Sequence, residues 1–280
     1  PERPQRIEAV LEALRTPVLA PFVSWAQAAP ADRSALERVH PAHHLDALEA
    51  LAASGGGAID PDTHLGPRSW EAVLASAGVA LRAVTEVVHG GTAFAATRPP
   101  GHHALAERAM GFCFVNNAVV AARHAQALGA AQVLIVDWDV HHGNGTQALV
   151  EADASIRYVS LHQFPWYPGT GAATERGVGN VFNVPRPAGL PRFRYVQDLL
   201  TAVDTACSGW TPDLLLISAG FDSLAGDPLG GFPLEPEDIT TWTTELRLRL
   251  PGCPVVAVLE GGYRLDVLVA GVTALVRALA

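Results

Sequence analysis

The chain has 280 residues, 49% of them hydrophobic, enough for one large domain or two small ones around a substantial core. Its formal net charge is −9 and every basic residue is arginine, so no basic run could track a phosphate backbone and a nucleic-acid partner is not expected. No apolar run reaches the roughly 18 residues of a membrane span.

In chain order, Arg6 to Arg15 reads as an amphipathic helix. Residues 34–53 are Ala/Leu-rich with helical periodicity and stop at Ser54-Gly55-Gly56-Gly57. A helix follows from Ser69 to Gly90, with Ser69 as its cap. Residues 92–97 predict a short strand, ended by Arg98-Pro99-Pro100-Gly101. Asn117 to Leu128 predicts a helix closed by Gly129, and residues 132–137 a buried strand. Further strands are expected over 155–161, 180–184, 213–219 and 254–260. Helices are expected over 193–208, 236–250 and 265–279, and an aromatic, Pro- and Gly-rich loop over 162–171. Strands alternating with helices at this spacing imply a single α/β domain, residues 1–280, with a parallel sheet covered by helices on both faces.

Cys113, Cys207 and Cys253 are odd in number and irregularly spaced, which fits neither a disulfide framework nor a zinc ribbon. With no leader segment visible, a reducing, cytoplasmic location is expected.

The polar clusters all lie just after strands, where open α/β sheets keep their sites. Asp137-Trp138-Asp139-Val140-His141-His142-Gly143 follows the apolar run 132–136. Side chains at i, i+2 and i+4 share one side of an extended chain. Asp137, Asp139 and His141 are therefore expected to converge, and two carboxylates beside an imidazole in an apolar setting call for a cation. Asp222, after Gly220-Phe221, completes a set of two oxygens and one nitrogen, the pattern of a catalytic zinc site with an open position. Fe²⁺ suits such donors as well as Zn²⁺ does. His102 and His103, after the strand at 92–97, are candidate acid/base groups. Tyr263, after Gly261-Gly262, could place a phenol against an oxyanion. His40, His43 and His44 are read as helical residues with structural or exposed roles, His142 as a packing residue, and Cys113 as a core residue.

Together these segments are recognisable. Arg98-Pro99-Pro100-Gly101-His102-His103, the stretch Gly111-Phe112-Cys113-Phe114-Val115-Asn116-Asn117, the run Asp137 to Gln147, Pro168-Gly169-Thr170-Gly171 and Glu260-Gly261-Gly262-Tyr263 resemble the histone deacetylase superfamily. The resemblance runs from Pro1-Glu2-Arg3-Pro4 to Tyr263 and is strongest to class II enzymes and their bacterial relatives. It implies the arginase/deacetylase fold and a metal-dependent amidohydrolase that takes acetyl groups from lysine side chains or small acylated amines. Asp139, His141 and Asp222 match the zinc ligands. His103 matches the main general base and acid, with His102 held by Asp137. Asn144 stands near the second histidine, as in class II relatives. Asp137, Asp139, His141, Ser160 and the backbone of Leu161 match a structural potassium site. Gly111, Phe112, Tyr167 and Leu229 match the acyl-lysine tunnel, and Asp62 or Asp60 the rim aspartate.

Within this class the rival is an acetylpolyamine amidohydrolase, whose relatives tend to lack the aromatic-Pro-Gly-Thr-Gly loop present here. A catalytically silent binder of acylated lysines would not need the intact set of His103, Asp139, His141, Asp222 and Tyr263. An arginase-like hydrolase would need a second metal and more carboxylates. The natural substrate, acyl length and oligomeric state are not legible in the sequence.

Overall fold

In the computed structural model, which describes residues 1–280, the six runs read as strands form one six-stranded sheet. In chain order the elements are α1 (Gln5–Leu14), α2 (Arg33–Leu36), α3 (Ala42–Ala53), β1 (Gly57–Ala58), β2 (His64–Leu65), α4 (Ser69–Val87), β3 (Thr92–Ala95), α5 (Asn117–Ala127) and β4 (Val133–Asp137). Then come α6 (Asn144–Val150), β5 (Ile156–Gln163), β6 (Val181–Arg186), α7 (Arg192–Ala206), β7 (Leu214–Ala219), α8 (Pro236–Arg249), β8 (Val255–Leu259) and α9 (Leu265–Leu279). The large sheet has the order β3-β8-β7-β4-β5-β6, and every pairing in it is parallel. β1 and β2 form a separate antiparallel pair.

Every residue of β4, β7 and β8 is buried, as the apolar runs require of strands covered on both faces. Along β4, Leu134 and Val136 pack with α1, α7, α8 and α9, while Val133 and Ile135 pack with α4 and α5. On the first face Trp138 stacks on Trp242, with ring centroids 5.6 Å apart. From β4 the chain steps outward to β5 and β6, then returns to the other side of β4 as β7. The crevice between β4 and β7 is therefore the topological switch point, where such sheets bind ligands.

Several boundaries differ from the sequence reading for definable reasons. The helix expected over 34–53 is two: α2 ends at Leu36 and α3 begins after Pro41, which has no N–H to continue a helix from upstream. Ser69 is not the cap of α4; its hydroxyl instead accepts the Gly66 N–H at 2.8 Å. β5 and β6 run past their expected ends because they continue to pair as far as Gln163 with Arg186. α6, too polar at its start to show an apolar stripe, was not anticipated.

His40 lies ahead of α3 rather than on it, and is fully buried. Its Nδ1 lies 3.0 Å from the Ala106 carbonyl, and its Nε2 accepts the Asn116 N–H at 2.9 Å. His44 reaches the Phe114 carbonyl at 3.0 Å. The two rings thus pin the long β3–α5 loop to the helical layer, while His43 is exposed near Glu107. Burial lowers the His40 pKa to about 4. A neutral buried histidine contributes fully above its unfolded value of 6.5, and that contribution is lost as pH falls from there towards 4. Urea unfolding should therefore show stability dropping across this window, by at most about 1.4 kcal/mol per pH unit from one histidine. His40→Gln should flatten the slope; an unchanged slope would assign it to other groups.

Candidate active site

The loops after β3, β4, β5, β7 and β8 meet above the β4–β7 crevice. β4 ends at Asp137, and the chain then turns rather than staying extended. The Asp139 N–H donates to Asp137 Oδ1 at 3.1 Å and the His141 N–H to Asp139 Oδ1 at 2.9 Å. These bonds, rather than strand alternation, aim the side chains, and they separate Asp137 from the other two. From β7, Asp222 Oδ1 accepts the Val140 N–H at 3.0 Å. His141 Nδ1 then lies 3.1 Å from Asp139 Oδ1 and 3.2 Å from Asp222 Oδ2. All three residues are buried, and their donor atoms lie within 4.8 Å of one another.

The backbone packs closely against the two carboxylates of this set. The Gly261 N–H donates to Asp139 Oδ2 at 2.8 Å, and a Cβ on Gly261 would overlap both carboxylates. A Cβ on Gly220 would overlap Asp139. No arginine pairs with either aspartate, and histidines are their only cationic partners. Burial and the charge of Asp139 push the Asp222 pKa up to about 7. Burial alone would lower His141, but its bonds to Asp139 and Asp222 raise it to about 10. A proton on the imidazole would offset one of the two negative charges, and a divalent ion bound to the same donors would displace it and offset both.

The adjacent histidines are split by their surroundings. His102 Nδ1 lies 3.1 Å from Asp137 Oδ2, and the Tyr158 hydroxyl donates to the same oxygen at 2.9 Å. Burial opposes the charge on His102, but Asp139 and Asp137 outweigh it and raise the pKa to about 10. His103 is different. Burial, reinforced by the charges of His102 and His141, holds it well below the usual histidine value. Its Nδ1 lies 2.8 Å from Asn144 Oδ1, which can only accept, so Nδ1 carries the hydrogen and Nε2 keeps a lone pair. The Asn144 amide nitrogen points at the Met110 sulfur, 3.5 Å away, consistent with that orientation.

Tyr263 follows the Gly261-Gly262 turn, with Gly262 at φ 118°. Its ring lies between the Phe112 ring, 5.6 Å away, and the Arg6 guanidinium, 4.8 Å away. Burial keeps the phenol well above its usual pKa, so it remains a proton donor. Phe112 sits at φ 66°, and its N–H donates to Thr63 Oγ1 at 3.1 Å. A Cβ on Gly111 would press into the His103 ring. Tyr167 stands edge-on to His103 and His141, with centroids 5.2 and 6.0 Å away, and is 38% exposed. Beside it, the Trp166 indole donates to the Leu229 carbonyl at 2.9 Å. Of the two rim candidates, Asp60 closes its own turn by accepting the Asp62 and Thr63 N–H groups. Asp62 is exposed and takes only the Thr63 hydroxyl at 3.0 Å.

Ser160 lies beside Asp137 in the sheet register, with its hydroxyl 2.9 Å from His162 Nδ1. No donor meets the carbonyls of Asp139 and His141. His142 is buried between Thr170 and Gln147, at 2.8 and 2.9 Å. Cys113 is buried with its thiol pKa pushed well up by burial, so it is no thiolate nucleophile.

Three buried groups around these residues were not assigned from sequence. Glu260 Oε2 accepts the N–H groups of Gly101 and His102 at 2.7 and 3.1 Å, and burial pushes its pKa up to about 7. Arg6 donates to the carbonyls of Gly262 and Glu260 at 2.6 and 2.5 Å. Tyr158 holds Asp137, as above. The one local signal for Arg6 was its place on the same α1 face as Val10, Ala13 and Leu14.

Comparison with known proteins agrees with this geometry. The histone deacetylase domain family matches residues 1–279. Histone deacetylase 15 of Arabidopsis thaliana is 40% identical over 290 residues, covering 100% of this chain and 52% of that protein. A crystal structure of the HDA15 HD domain superposes with a TM-score of 0.95 at 39% identity, covering 99% of this chain and 81% of that one. The histone deacetylase-like amidohydrolase of Pseudomonas aeruginosa is 38% identical, with 94% of this chain and 71% of that protein covered. The polyamine deacetylase HDAC10 of Homo sapiens is 36% identical, with 99% of this chain and 44% of that protein covered. The chain thus spans about half the length of the Arabidopsis and human relatives. It belongs to the histone deacetylase family and is a hydrolase of amide bonds.

If Asp139, His141 and Asp222 hold one divalent ion, zinc-loaded protein should carry about one equivalent by elemental analysis. His141→Ala should carry almost none after gel filtration. Stoichiometric zinc in that variant would refute the ligand set.

Proposed function

We propose that residues 1–280 form the catalytic domain of a zinc-dependent deacetylase that takes acetyl groups from lysine side chains and releases acetate. The observation that carries this reading is the placement of His103, its Nδ1 2.8 Å from Asn144 Oδ1 and its ring centroid 5.8 Å from that of His141, beside the buried Asp139–His141–Asp222 set and the buried Tyr263. The three side chains would hold Zn²⁺, with Fe²⁺ the alternative that the same donors suit. When bound, the ion would polarise the acyl carbonyl and bring a water's pKa towards neutrality.

The chain's own groups then have defined tasks. His103 Nε2 takes a proton from the attacking water, and Asn144 keeps the imidazole in the tautomer that can accept it. The Tyr263 hydroxyl donates to the oxyanion as it forms. His103 returns the proton to the leaving amine, which departs as acetate is made. His102, tied to Asp137, stays charged and raises the cost of a second charge on His103, so that His103 gives its proton up readily. Phe112, Tyr167 and Leu229 would wall the apolar stem of the substrate, and Asp62 at the mouth would accept N–H groups of a peptide backbone. A structural K⁺ would be held by Asp137, Ser160 and the carbonyls of Asp139, His141 and Leu161, a reading supported by the two carbonyls that meet no donor.

An acetylated polyamine is the second reading, favoured by the likeness to a polyamine deacetylase and by the net charge of −9. The compact aromatic loop at 162–171 favours the peptide. No helix is long and apolar enough to cross a membrane, and the three unpaired cysteines fit a reducing, cytoplasmic location.

Tyr263→Phe should lower kcat by about two orders of magnitude while leaving zinc content unchanged; near-full activity would remove the phenol from the mechanism. Initial rates on an acetyl-lysine peptide and on an acetylated polyamine, taken side by side, should give the peptide the larger kcat/KM. The reverse order would make the chain an enzyme of small acylated amines.

A further inference from the structure

Between Asp222 and α8 the chain passes Gly226-Asp227-Pro228-Leu229, and Asp227 is only 6% exposed. Its carboxylate is held by backbone alone. Oδ2 accepts the N–H of Tyr263 at 2.6 Å and that of Arg264 at 3.2 Å, and Oδ1 accepts the N–H of Leu229 at 3.0 Å. The nearby Arg264 guanidinium makes its hydrogen bonds to Asp266 instead, at 3.0 and 2.9 Å. A buried carboxylate without a cationic partner is costly unless N–H donors surround it, and here the three donors come from two functional segments.

The contacts on Tyr263 divide into two kinds. Phe112 and Arg6 hold the ring. Asp227 holds the backbone from which the ring projects, immediately after Gly261 and Gly262, whose own N–H and carbonyl, respectively, are held by Asp139 and Arg6. The same carboxylate fixes Leu229, whose carbonyl is held in turn by Trp166. We propose that Asp227 is a positioning residue that sets the Tyr263 phenol against the scissile carbonyl and locks it to the Leu229 wall as one unit. This rests on the reading of Tyr263 as the oxyanion donor.

The test is a double-mutant cycle in the zinc-loaded full chain on the acetyl-lysine peptide. Asp227→Asn is nearly isosteric but sets an amide N–H₂ against one of the backbone N–H groups. It should lower kcat at least about 10-fold with KM within about two-fold and zinc content unchanged, the split expected for an interaction made in the transition state. In a Tyr263→Phe background the same change should cost less than about three-fold, because the group it positions is gone. Asp227→Glu keeps the charge and both oxygens but shifts them by a methylene; it should give the same non-additivity and serves as the cycle if the amide variant folds poorly. Equal losses in both backgrounds, or a near-wild-type Asp227→Asn, would overturn the positioning role while leaving Tyr263 as donor. Full activity in Tyr263→Phe alone would overturn both readings.

Discussion

Asp139 and Asp222 lie side by side with His141 between them, out of reach of bulk water and without an arginine to share their charge. An uncompensated ionised group in such a place costs several kcal/mol even after the protein relaxes. Much of the surrounding architecture follows from that constraint. The parallel sheet brings the ends of β4 and β7 together at its switch point, so that two strands each deliver one carboxylate. Backbone N–H groups of Val140, His141 and Gly261 hold the oxygens in place. Glycine is required at 220 and 261 because the carboxylates occupy the space a side chain would need.

The same charge organises the proton chemistry one layer out. Asp139 and Asp137 favour the charged form of His102, while burial and the charge of His102 disfavour a second charge on His103, one residue on. Two groups of one chemical type are pushed in opposite directions by their neighbours, which distinguishes their roles. The loops that carry His102, His103 and Tyr263 are in turn fastened by buried polar groups beneath them. Glu260 ties the backbone of the His102 loop to the strand that precedes Tyr263, and Arg6 reaches from α1 to the carbonyls of the same turn.

Much of this is legible in the sequence. The six strands announced themselves because a sheet covered on both faces needs near-continuous apolar runs, as in Val133-Leu134-Ile135-Val136 and Leu214-Leu215-Leu216-Ile217. Asp139, His141 and Asp222 stood out because charged residues immediately after such runs have few structural excuses. What the pattern misjudged was local geometry: strand alternation was expected to group Asp137 with Asp139, whereas the turn after β4 hands Asp137 to His102 and Tyr158. The long-range fasteners could not be read at all. Nothing near Arg6 in the chain says that it will meet Gly262, and nothing near Asp227 says that its three donors will include Tyr263, because both contacts exist only once the sheet has formed. Short elements such as α6 escaped for a different reason, since their sequence is dictated by the site rather than by a helical pattern.

The central claim is that a single divalent ion belongs between Asp139, His141 and Asp222. Anomalous diffraction at the zinc edge from crystals of the zinc-loaded protein tests it most directly. The account requires one strong peak, about 2.0–2.2 Å from His141 Nδ1 and from an oxygen of each aspartate. A peak elsewhere, or a pair of peaks about 3.5–4 Å apart as in two-metal hydrolases, would contradict it.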